Sequence, residues 1–332
     1  MNLIFINPDH HDFNVLTPAD QPLGGSQSGI CHLCLALARR GHKIVLASAT
    51  TNPGTFGGVQ CILLSQLQEV IASGNWDALV VLNRADCLRN VRRMSADGQC
   101  IVFWTGHNIN QRELASLSDP DVRAACDRWV LVSEWHRAVF TSRFGIPAAS
   151  TAVIRNAIAP VFETLFATRE DLESAKSGHM TLAYTSAPFR GLALLLDVYS
   201  ELIKRDDQVA LQIYSSMAAY QRQDPLKLQK LYQKCPHTRG IAYSGSIAQP
   251  SLAGQLRRFH VLAYPNTFAE TSCIAVMEAM SAGCLVITSD YAGLQERSVL
   301  MKRIGIPDEP DVCPSCVAPC SRGILRLSNA SL

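Results

Sequence analysis

The chain is poor in charge. Asp, Glu, Lys and Arg make up 17% of its 332 residues and leave a formal net charge of +2. A nucleic-acid binder concentrates basic residues on one face, so this balance gives that class no support. No apolar run reaches the roughly 18 residues that suggest a membrane span. The start, Met1-Asn2-Leu3-Ile4-Phe5-Ile6-Asn7, lacks the basic opening and longer apolar core of a signal peptide and reads as a first strand. Contact with a membrane surface through a local patch stays open. No repeat of solenoid period is present. No Gly-x-Gly-x-x-Gly follows the first strand, which weakens the case for a dinucleotide-dependent oxidoreductase.

What the chain does have is apolar bulk. Hydrophobic residues reach 48%, enough for a large core, and the length suits two domains. Several of the twelve cysteines sit in apolar segments, among them Cys31, Cys34, Cys61, Cys273 and Cys284, and read as buried reduced thiols of a cytoplasmic protein. Cys313 and Cys316 have a zinc-like spacing with Cys320 nearby, but no His or Cys follows as a fourth ligand, so incidental thiols and no metal are expected.

Short apolar runs alternate with helical patterns along the chain, which argues for an α/β protein with parallel sheets covered on both faces. A strand at 3–6 leads through a polar loop to Gly24-Gly25-Ser26. The next helix places Ile30, Leu33, Leu37 and Ala38 on one side, before a strand at 43–47. Gly24 and Gly25 let backbone approach a ligand, and a plain tight turn is a comparable reading. Strands follow at 78–82, 101–104 and 129–132, then a helix at 134–144. His107 stands just past a strand end, as a ligand contact or a satisfied polar core residue. Residues 159–179 are polar and irregular enough for an interdomain linker. A second alternation has strands at 181–185, 210–214 and 241–243 and helices at 192–203 and 250–259. Arg190 at a strand-to-helix junction could pair with a diphosphate or lie on the surface. Gly245 and Ser246 mark another loop, which an ordinary glycine turn would resemble.

The densest signal is 261–288. Val261-Leu262-Ala263-Tyr264 is a buried strand stopped by Pro265-Asn266. A helix follows, with Ser272 as N-cap and Gly283 as its stop, and then a strand at 284–288. Glu270 precedes the cap and sits at the helix mouth, while Glu278 lies inside the helix. Free N–H groups at such a mouth suit a phosphate. Equally, Glu270 could simply favour the helix dipole and Glu278 could lie on a solvated face.

The run Tyr264-Pro265 to Glu270, then Glu278-Ala279-Met280-Ser281-Ala282-Gly283, Val286-Ile287 and Gly293 to Glu296, resembles the nucleotide-sugar site of retaining glycosyltransferases of family 4, including their Glu-x7-Glu pair. The resemblance implies a GT-B fold of two Rossmann-like domains facing a cleft. Residues 1–165 would be the acceptor domain and 175–296 the nucleotide-sugar domain. Beyond Glu296 the pattern stops, so the second domain is expected to be truncated, with 297–332 a poorly ordered tail. The implied activity is transfer of a sugar from a UDP- or GDP-linked donor to a glycan, lipid or small-molecule acceptor, without cofactor or metal. His107, Glu270 and Arg190 would be the catalytic residues. Gly24, Gly25, Gly245, Ser246, Thr271, Ser272 and Glu278 would bind the nucleotide sugar. Two positions depart from the pattern: Ala157 replaces a usual glycine, and Tyr184-Thr185 stand where a second phosphate-binding cation is common. A catalytically weak binding subunit and a nucleotide-sugar epimerase on the same fold are the rival readings.

Overall fold

A computed structural model describes residues 1–296 and the strand Met301–Ile304. The first half contains β1 (Asn2–Ile6), β2 (Lys43–Ser48), β3 (Gly54–Phe56), β4 (Val59–Leu63), β5 (Ala78–Leu82), β6 (Cys100–Trp104), β7 (Arg128–Leu131) and β8 (Thr151–Val153). They form one sheet in the order β3-β4-β2-β1-β5-β6-β7-β8. Only the β3–β4 pair is antiparallel. The second half contains β9 (Thr181–Tyr184), β10 (Ala210–Ile213), β11 (Ile241–Tyr243), β12 (Val261–Tyr264), β13 (Leu285–Ser289) and β14 (Met301–Ile304). They form a parallel sheet in the order β11-β10-β9-β12-β13-β14.

The apolar runs become strands because both sheet faces are covered: all four residues of β12 are buried, as are the last three of β1. Two apolar clusters pack around the first sheet and one around the second. Strand order reverses between β1 and β5 in one sheet and between β9 and β12 in the other. Open α/β sheets bind ligands at the carboxyl ends of strands beside such reversals.

Several sequence expectations are corrected. The helix Gly25–Arg39 buries Ile30, Cys31 and Cys34, whereas Leu33 is exposed, because the buried stripe runs through positions four apart and their neighbour. The expected linker holds a helix, Arg169–Ala175, started by a capping box between Thr168 and Asp171, and Phe162 within it is fully buried. Cys273, not Ser272, is the N-cap of the helix Ile274–Ser281, and it makes no side-chain cap bond. The β3–β4 hairpin was not anticipated. It turns on Gly57 and Gly58, both at positive φ, as a two-residue hairpin loop requires. Within the stretch expected to be tail, β14 pairs in parallel with β13. Cys313, Cys316 and Cys320 lie outside the described residues, as does all of 305–332.

Candidate active site

At the β9/β12 reversal the two loops are drawn together by a glycine. Gly191 has φ +115°, and a Cβ there would lie 2.1 Å from the carbonyl oxygen of Pro265. This close approach lets Arg190, from the β9 loop, meet Glu270, from the β12 loop. Arg190 Nη1 lies 2.5 Å from Glu270 Oε1, and the Tyr264 hydroxyl donates to the same oxygen at 2.6 Å. The guanidinium also stacks over the Phe268 ring, 4.6 Å from its centroid. Burial opposes the charge on Arg190, but neighbouring Glu270 outweighs it and holds the group protonated. Arg190 Nε keeps no partner, so the paired cation still has a donor to offer. Gly293 closes beneath: its N–H donates to the Glu270 carbonyl at 2.7 Å, and any Cβ would strike the Thr271 carbonyl at 2.5 Å.

Glu278 is 5% exposed, so it does not lie on a solvated face. Burial pushes its carboxyl up to about 8, with a hydrogen bond from Gln249 pulling the other way. Thr271 Oγ1 donates to the Gly106 carbonyl at 2.6 Å, and Asn156 Nδ2 donates to the Ser272 carbonyl at 3.1 Å, so the Glu270 loop is bonded to the first half of the chain. Ser246 accepts from the Ser216 hydroxyl at 2.8 Å. Glu296 bonds the backbone N–H groups of Glu134 and Trp135, at the start of the helix Glu134–Phe144, and pairs with Arg155 at 3.3 Å. It thus ties the far end of the resembling segment across the two halves.

From the first half, His107 follows β6. Its backbone N–H donates to Thr105 Oγ1 at 3.0 Å, while its ring Nδ1 is buried without a partner. Burial lowers its pKa, with Glu113 opposing, so the imidazole is neutral near pH 7. Gly24 and Gly25 start the helix Gly25–Arg39 close to the second half: a Cβ on Gly24 would lie 3.4 Å from the Tyr220 ring, and one on Gly25 would lie 3.1 Å from Ile274 Cδ1.

Every expected site residue except Gly245 lines one cleft of about 480 Å³ between the halves. Gly245 supplies the left-handed turn, at φ +65°, that presents Ser246. Among the cleft residues that the sequence reading missed are Asp9, His11, Tyr220 and Arg222. His11 is 7% exposed with both ring nitrogens unbonded. Asp9 lies 3.6 Å from Arg84. A His-Asp-rich stretch directly after the first strand, Asp9-His10-His11-Asp12, was the available signal. Buried polar groups without partners are rare in folded proteins, and their concentration here marks a surface built for a polar ligand. Among the described residues, no three His, Cys, Asp or Glu side chains gather as a metal would need, and no helix is long and apolar enough to cross a membrane.

Residues 180–307 match the family described as glycosyl transferases group 1. The match runs past Glu296, where the sequence resemblance was expected to stop. The whole fold is similar to that of solved GT-B enzymes. Sucrose-phosphate synthase of Thermosynechococcus elongatus superposes with TM-score 0.68 at 16% identity, covering 93% of this chain and 87% of that one. HepE of Anabaena in complex with UDP-glucose gives 0.65 at 16%, covering 92% and 86%. WaaG, a glycosyltransferase involved in lipopolysaccharide biosynthesis, gives 0.63 at 13%, covering 89% and 82%. No curated relative matches the chain. The second half thus matches the glycosyl transferases group 1 family, and the chain as a whole has the GT-B fold.

Proposed function

We propose that the chain moves a sugar from a nucleoside diphosphate donor to an acceptor with retention at the anomeric carbon, as family 4 enzymes do, without metal or cofactor. UDP is the first donor base to test, because the similar HepE structure holds UDP-glucose. The observation that carries the reading is the Arg190–Glu270 pair at the second sheet's reversal, in one cleft with His107 from the first. Residues 175–296 bind the donor and 1–165 the acceptor, a glycan, lipid or small molecule.

As the bond from the anomeric carbon to the diphosphate oxygen breaks, negative charge gathers on the leaving group. Arg190, through its unbonded Nε, and the N–H groups at the mouth of the helix Ile274–Ser281 stabilise that charge. Arg222, from the loop after β10, lines the same cleft and supplies the second cation that Thr185 does not. Glu270 is held by two donors, which suits it to fixing sugar hydroxyls. Glu278 takes the ribose, and the neutral His107 imidazole hydrogen-bonds the sugar beside the reacting carbon. The unpaired buried thiols suit a cytoplasmic setting.

Incubation with a panel of UDP- and GDP-sugars, followed by proton NMR of the product's anomeric coupling, tests this. Transfer with the donor's configuration supports it. Inverted product overturns retention. Binding without turnover favours a binding subunit, and donor interconversion without acceptor favours an epimerase.

A further inference from the structure

His32 lies on the helix Gly25–Arg39 of the first half, and neither the donor nor the acceptor role assigned above uses it. Its Nε2 stands 2.8 Å from Gln249 Oε1, across the cleft at the first residue of the helix Gln249–Leu256. Because Oε1 carries no hydrogen, His32 is the donor. A planar amide with its oxygen engaged on one side must present its N–H groups elsewhere, and Gln249 bonds the carboxyl of Glu278. The three side chains therefore form a chain with a fixed sense, from the imidazole N–H to the amide oxygen and from the amide N–H to the buried carboxyl. Without His32 the Gln249 amide could turn over and place its oxygen against Glu278, where it would accept the proton of the neutral carboxyl and hold that group as a donor. Both Gln249 and Glu278 line the cleft, so their orientation bears directly on any ligand there.

We propose that His32 is a positioning residue for ribose recognition: it fixes the Gln249 amide, which holds Glu278 ready to accept ribose hydroxyls. The inference rests on the reading of Glu278 as the ribose-binding acid. It goes beyond that reading in making the donor site depend on a residue of the opposite half. The ribose pocket is then complete only when the two halves are closed on each other, and donor ribose and cleft closure stabilise one another.

Calorimetric titration of the full chain with UDP, GDP and ADP, each beside its 2′,3′-dideoxy counterpart, tests it. Wild type binds the ribo form of at least one pair more tightly. His32→Ala is expected to reduce that preference about fivefold, the worth of about one hydrogen bond, while leaving the dideoxy affinity unchanged. The unchanged dideoxy affinity also reports that the variant is folded. His32→Gln, which restores an N–H donor, is expected to recover the preference. Full preference in His32→Ala, alongside its loss in Glu278→Ala, overturns the relay and keeps the ribose reading. Full preference in Glu278→Ala overturns the ribose reading and the relay with it. No binding of any of the three nucleotides overturns both.

Discussion

The two sheets reverse their strand order in the same way but leave different chemistry at the reversal. At β9/β12 an arginine and a glutamate are already joined, with a tyrosine hydroxyl on the same carboxylate oxygen. At β1/β5 the strand-end amides Asn7 and Asn83 each keep a buried Nδ2 without a partner, and neither ring nitrogen of nearby His11 has a hydrogen-bond partner, though Nδ1 lies 4.0 Å from Asp9. The second half therefore joins its charged groups to one another, whereas the first leaves more of its hydrogen-bonding capacity unmet. This division matches a site in which one half fixes a charged leaving group and the other receives hydroxyl-bearing sugar. Removing a group should thus cost folding stability in the second half, and mainly activity in the first.

The largest effect should come from splitting the ion pair. Arg190→Ala leaves Glu270, 4% exposed, without its counter-ion. A loss of about 3–5 kcal/mol is expected in urea unfolding, together with loss of transfer. An unchanged midpoint would show that the pair contributes nothing to folding stability. Gly191→Ala should follow at about 2–4 kcal/mol, because no Cβ fits against Pro265 without parting the two loops. Thermal melting checks this, and wild-type stability would mean the loops can separate freely.

Glu278 gives a pH signature of its own. Its carboxyl titrates near 8 when folded, against an ordinary 4.5, so the folded state holds its proton longer than the unfolded chain. The neutral carboxyl's contribution is complete below pH 4.5 and is lost as pH rises through about 8, by an amount on the order of a few kcal/mol. Glu278→Gln should flatten that decline in melts taken from pH 5 to 9. A decline of equal slope in the variant would assign it to other groups. In the first half, His107→Ala should change stability by less than about 1 kcal/mol, since no hydrogen bond to its ring Nδ1 is lost, while lowering kcat about a hundredfold or more. Steady-state kinetics beside a melt separates the two. A large fall in Tm with kcat intact would reverse the comparison.

Much of this architecture was legible in residue patterns, because buried parallel strands write themselves as short apolar runs. The ranges of β5, β11 and β12 and of the helix Glu134–Phe144 coincide with the runs read from sequence. Glu270, Glu278 and Arg190 were found through local motif and strand-end position. Their pairing was not, since Arg190 and Glu270 are 80 residues apart and meet only through the topology of the second sheet. Leu33 misled for a related reason: periodicity sets a stripe but not which neighbouring residue faces the sheet. The helix Arg169–Ala175 was hidden in a polar segment that only its Thr168 capping box betrayed. Tyr220 and Arg222 carry no motif, and the folded cleft alone brings them beside Asp9 and His11.

The central claim is that the joined Arg190–Glu270 centre belongs to a nucleoside diphosphate site. Isothermal titration of UDP, GDP and ADP into wild type and Arg190→Lys, with the matching monophosphates as controls, tests it most directly. At least one diphosphate should bind wild type more tightly than its monophosphate, and the variant should lose about tenfold, because lysine keeps the charge but not the planar fork that serves carboxylate and phosphate together. Diphosphate affinity that is absent in wild type, or equal in the variant, would contradict the account.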